Sequence, residues 1–90
     1  MIARHVFYEG RVQGVGFRYT VRHLATGYDI AGWVRNLPDG RVEMLAAGFP
    51  DEVAEFLEAI RASELDSFIR NETVEQVPVP PGIHGFEILR

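Results

Sequence analysis

The spacing of apolar residues changes period several times along the chain, and each change marks an element. Residues 3–9 carry Val6, Phe7 and Tyr8, β-prone types that end at Gly10, and predict a strand. From Phe17 the period lengthens: Phe17, Val21, Leu24 and Tyr28 follow at spacings of four, three and four, the apolar stripe of a helix. Gly27 and Asp29 stand where that helix should stop. Ile30 to Asn36 is apolar and β-branched enough for a second strand, and Arg41 to Ala47 for a third. Between them Leu37-Pro38-Asp39-Gly40 has Pro second and Gly fourth, the signature of a type I turn, so residues 30–47 read as a hairpin.

Pro50 suits the first turn of a second helix, whose stripe is Val53, Phe56, Leu57 and Ile60. Asp51 and Glu52 fall at its positive end and Arg61 at its negative end, as the helix dipole prefers. Phe68 to Val77 predicts a fourth strand, made polar by Arg70, Asn71 and Glu72 and so placed at a sheet edge. The run Pro78-Val79-Pro80-Pro81-Gly82 must be loop, and Phe86 and Ile88 close the chain as a short strand. The order strand–helix–strand–strand–helix–strand predicts an α+β, ferredoxin-like split βαβ sandwich, an antiparallel sheet with two helices on one face. Fold alone assigns no function, because many activities share this plan.

Ninety residues predict a single domain spanning residues 1–90. The chain has no cysteine, which removes both disulfides and thiolate chemistry. Neither a signal peptide nor an apolar run of membrane length is apparent, so the cytoplasm is the expected compartment and no membrane partner is expected. The formal charge is −4, with nine arginines and no lysine. That balance opposes nucleic-acid binding, which needs a basic surface, but leaves room for one small phosphate. An RNA-recognition sheet would also need stacking aromatics in its central strand, and residues 41–47 have none.

The candidate chemistry lies in two segments. Gly10 to Arg18 reads GRVQGVGFR, a loop with Gly14 and Gly16 that runs into a helix start. Glycines there let successive N–H groups turn toward one point, and the helix N-terminus adds unpaired donors and a positive dipole end. Arg18 sharpens the pattern. A cation in the first helical turn is disfavoured by roughly 0.3–1 kcal/mol, whereas a bound anion would reverse the sign and a guanidinium can chelate phosphate. Taken alone, the pattern fits a tight turn with a solvated arginine slightly better, since glycine-rich turns are common. In Gly32 to Gly40, GWVRNLPDG, Asn36 ends a strand before a turn. An asparagine there either hydrogen-bonds the backbone in an Asx-turn or offers its amide to hold a water in one orientation. Trp33, mid-strand, reads as core.

The residues that are missing narrow the reaction. His5, His23 and His84 are scattered without metal-ligand spacing, and Ser63 and Ser67, the two serines, lie far from the glycine loop. Neither segment pairs two carboxylates, so no metal and no cofactor is expected. A phosphate site without nucleophile, metal or general acid must attack with water and release an easy leaving group. A carboxylate, with a conjugate acid of pKa about 4, departs unprotonated at neutral pH. Acyl phosphates fit these residues best.

Together the two segments resemble the acylphosphatase family. Its first signature is met by Gly10, Val12, Gln13, Gly14, Val15, Phe17 and Arg18, and its second by Gly32, Trp33, Val34, Asn36, Asp39 and Gly40. The similarity runs on to Gly85-Phe86-Glu87-Ile88. The resemblance implies that backbone amides of Gln13, Gly14, Val15, Gly16, Phe17 and Arg18 cradle the phosphate, that Arg18 grips its oxygens, and that Asn36 orients the attacking water. It further implies a small acyl phosphate as substrate, inorganic phosphate as product and competitive ligand, no metal, and a monomer. The alternative is an acylphosphatase-like module handling carbamoyl phosphate, as at the start of hydrogenase-maturation proteins; those chains are much longer. Two departures from the family pattern stand outside the signatures: Asp29 where many relatives have glycine, and no Gly-Pro pair in Ser63 to Ser67.

Overall fold

The computed structural model describes residues 1–90. β1 (Ile2–Gly10) leads into α1 (Phe17–Ala25), then come the hairpin strands β2 (Ile30–Asn36) and β3 (Val42–Gly48), α2 (Pro50–Arg61), a 3-10 turn at Glu64–Phe68, β4 (Ile69–Val77) and β5 (Phe86–Ile88). The strands make one sheet in the order β4-β1-β3-β2-β5, which puts polar β4 at an edge as its composition requires. β1 pairs antiparallel with β3 and β4, and β2 with β3. β5 adds to the free side of β2 in parallel, with Gly32 opposite Phe86, so the antiparallel sheet ends in one parallel pair.

Strand alternation splits the side chains into two sets. Val6, Tyr8, Val34, Met44 and Ala46 face the helices and meet Phe17, Val21, Val53, Phe56 and Ile60 in the main core. Phe56 is fully buried and stacks edge-on against Phe86 at 5.6 Å; burial of such a side chain contributes about 1.5–3 kcal/mol. On the opposite face Ala3, Leu45 and Ala47 form a smaller cluster. Val79 and Ile83 cover it as the β4–β5 connection crosses from one edge of the sheet to the other. Trp33 packs here, half-buried. With both faces covered, β3 is buried along its whole length.

α1 is shorter than its stripe. The Thr26 N–H turns back to the His23 carbonyl and the Gly27 N–H to that of Leu24, and the helix closes at Ala25. Gly27 is not left-handed, and no residue other than glycine has positive φ, so Asp29 is under no backbone strain. Its N–H donates to a Glu52 carboxylate oxygen at 2.6 Å. Tyr28, past the helix end, still reaches the core through Phe56 at 6.0 Å. Gly32 is required by contact: a Cβ there would lie 1.8 Å from the Leu45 carbonyl oxygen on β3.

Also on the face away from the helices, Glu43 is buried between His5, whose Nε2 lies 2.7 Å from one carboxylate oxygen, and the Arg35 guanidinium on the other. Burial pushes the Glu43 carboxyl up, but the hydrogen bonds to Arg35 and His5 outweigh it and hold the group below its ordinary value.

Candidate active site

α1 begins where Gly16, left-handed at φ 77°, caps it without any side-chain hydrogen bond or acidic residue in its first turn. Gly14 has the same hand at φ 78°. The result is a loop whose donors are unspent: no N–H from Gln13 to Tyr19 donates to any acceptor in the protein, and the first helical bond is Thr20 N–H to the Gly16 carbonyl. An unpaired row of amides at a helix start is the arrangement an anion fills.

Asn36 arrives from β2. It shares the strand face of buried Val34, so its side chain points to the helix side, under the start of α1. Val12, Gly14, Gly16, Phe17, Arg18, Tyr19 and Asn36 line one cavity of about 210 Å³. Arg18 is half-buried there and forms no ion pair. The Asn36 Oδ1 is buried without a protein partner. Leaving such an acceptor unmet costs about 1–3 kcal/mol, so the amide is held for a donor that the protein does not supply. The Asx-turn reading of Asn36 does not hold, because its Oδ1 accepts no backbone N–H; Asp39 makes the Asx contact of this turn, its Oδ1 accepting the Arg41 N–H at 3.0 Å.

Two of the loop residues play other parts in the geometry. The Gln13 side chain turns away from the cavity and donates to the carbonyls of Leu37 at 2.8 Å and Arg41 at 3.0 Å, tying the loop to the hairpin turn. That turn is closed by Gly40 N–H to the Leu37 carbonyl, as its Pro and Gly predict. Val15 packs its side chain on the core. Tyr19, which the sequence did not single out, lines the cavity beside Arg18. Beneath the site Phe17 stacks on Tyr8 at 5.1 Å, and burial together with nearby Glu72 pushes the Tyr8 phenol far above its ordinary range, so it stays neutral.

The histidines stand apart from the cavity: His5 is on the opposite sheet face with Glu43, and the His84 ring is within 3.1 Å of the Gly82 carbonyl. The carboxylates of Asp51, Glu52 and Glu55 gather at the exposed start of α2, outside the cavity lining.

A model of the acylphosphatase family matches residues 4–88. The chain belongs to the acylphosphatase family. Among its relatives, the acylphosphatase of Trichormus variabilis is 44% identical over 90 residues, covering 100% of this chain and 88% of that one. The crystal structure of acylphosphatase from Bacillus subtilis superposes with a TM-score of 0.90 at 39% identity, over 100% of both chains. The HypF structure from T. kodakarensis matches with a TM-score of 0.86 at 26% identity, over 100% of this chain but 12% of that one. The ferredoxin-like plan is therefore the acylphosphatase fold, and the two acylphosphatase signature segments are the ones that meet at this cavity.

Proposed function

We propose that this chain hydrolyses acyl phosphates to a carboxylate and inorganic phosphate. The observation that carries the reading is the cavity in which unpaired Arg18, the free amides of the glycine loop and the unpartnered Asn36 Oδ1 come together. The substrate phosphoryl group sits on the amides of residues 13–18, with Arg18 donating two parallel bonds to its oxygens. Asn36 accepts a hydrogen bond from a water and aims its lone pair at phosphorus. The new P–O bond forms as the bond to the acyl oxygen breaks. The carboxylate leaves with that electron pair, and the water's proton passes to a phosphate oxygen. No side chain near the cavity is suited to be a base, and none is needed for so good a leaving group. The reaction as written uses no metal and no cofactor.

No helix is long and apolar enough to cross a membrane. We assign the protein to the cytoplasm as a monomer that acts on a small molecule and binds neither nucleic acid nor membrane. The likeness to HypF, at 26% identity, is weaker than the 44% to the acylphosphatase relative. The higher identity favours the acyl phosphate.

The test separates two residues. Arg18 is used whenever phosphate is bound, so Arg18→Ala should weaken competitive inhibition by phosphate on the order of a hundredfold and abolish turnover. Asn36 is used only during attack. Asn36→Ala should lower kcat roughly a hundredfold with the phosphate inhibition constant near its original value. Wild-type turnover should persist in a chelator. The reverse pattern between the variants would exchange the roles, and normal turnover by both would remove the assignment.

A further inference from the structure

Tyr19 is 64% exposed, the most open large apolar side chain after the terminal Met1. It stands off the core stripe of α1, whose buried positions are Phe17, Val21 and Ala25, and its hydroxyl makes no hydrogen bond. Its ring therefore does little for the fold. Its position is specific. Tyr19 lines the active cavity with Arg18 and Asn36, and it also lines a second opening of about 270 Å³ with Arg22, His23 and Thr26. Residues 19, 22, 23 and 26 follow the spacing of one outer helix face, so this opening is a shallow strip that runs from the phosphate site along α1. Arg22 forms no ion pair.

We propose that Tyr19 is the stacking surface of an acyl-group subsite, and that it selects acyl phosphates with a flat aromatic acyl group. The proposal rests on the acyl phosphate reading above. With the phosphoryl group held on the loop, the acyl group has to project out of the cavity. The other aromatic ring in the lining, Phe17, is buried and cannot meet it. An aromatic acyl group stacks on the Tyr19 ring and extends over the strip, where the Arg22 guanidinium can lie over its π face. An acetyl group has no ring to stack on either.

The experiment compares benzoyl phosphate with acetyl phosphate for wild type, Tyr19→Ala and Tyr19→Phe. Wild type should prefer benzoyl phosphate in kcat/KM. Tyr19→Ala should lower the benzoyl-to-acetyl ratio on the order of tenfold, through a higher KM for benzoyl phosphate. Tyr19→Phe, which keeps the ring, should restore the ratio. The inhibition constant for inorganic phosphate, which has no acyl group, should not follow the ratio. An equal loss on both substrates, or a ratio that survives Tyr19→Ala, overturns the subsite while the hydrolase reading stands. Wild type that cleaves neither substrate overturns the hydrolase reading and the subsite with it.

Discussion

Removing the carboxylate of Glu43 tests how strongly burial amplifies a charge cluster in this sheet. The Glu43 side chain is 10% exposed, and its two oxygens are occupied by His5 and Arg35, whose own side chains are 25% and 45% exposed. Breaking a fully buried pair by deleting one partner costs about 3–5 kcal/mol. Here the Arg35 guanidinium and the His5 ring left behind can turn toward water, which lowers the expected cost of Glu43→Ala to about 2 kcal/mol. With a urea slope of order 1–2 kcal/mol per molar for a small domain, the midpoint should fall by about 1–2 M. Asp39 and Arg41 supply the control: they pair at 2.8 Å with both side chains open to solvent, and Asp39→Ala, which removes that pair and the turn bond from the Arg41 N–H, should lower the midpoint by clearly less. The pH dependence has a definite sign. The folded Glu43 carboxyl is held below its unfolded value, so its stabilisation is fully present above the unfolded pKa of about 4.3. It is lost as pH falls through the folded value. The gap between wild type and Glu43→Ala should thus narrow as pH falls below about 4. Equal midpoints for Glu43→Ala and Asp39→Ala at neutral pH would refute the burial argument.

The loop and the sheet make further commitments. Phosphate at a hundred times its dissociation constant should stabilise the fold by about 2.7 kcal/mol, seen as a rise in Tm beyond that with matched chloride; an equal response to both salts would count against a specific site. Gly14 and Gly16 are left-handed, yet a Cβ at either would touch nothing within 4 Å. Alanine there should cost only the backbone penalty, about 1–2 kcal/mol, while weakening phosphate inhibition. Gly32→Ala drives a Cβ into the Leu45 carbonyl of the neighbouring strand, and a soluble, wild-type-like melting curve for it would contradict the β2–β3 register.

What the sequence revealed depended on whether the signal was local. β2 was read with its observed limits because its apolar run is bounded by Asp29 and by the Pro38 turn. α2 declared itself through a stripe, a proline start and charges suited to its dipole. The end of α1 was less legible: Tyr28 keeps the apolar period after the helical bonds have stopped, since packing on Phe56 and helix continuation ask for the same spacing. The 3-10 turn at Glu64–Phe68 has too few residues to show a period, and the Ser63 hydroxyl that accepts the Leu65 N–H gave no separate sign of it. Arg18 stands out because a cation is disfavoured in a first helical turn, and Asn36 because the segment around it matches the family's second signature. The Glu43 cluster and the reach of Gln13 were not, because both depend on groups that only the folded sheet brings near. Tyr19 gives no signal because it falls off the apolar stripe of α1 and outside both signatures.

The Gln13 amide closes a ring of backbone that runs from the glycine loop through α1 and β2 to the far side of the hairpin turn. A motion that opens the loop has to release the carbonyls of Leu37 and Arg41, and fraying of the turn strips Gln13 of both acceptors. The two segments are thereby joined into one unit of local opening, although more than twenty residues of chain separate them. Occupation of the loop should slow amide exchange around residues 37–41, none of which lines the cavity.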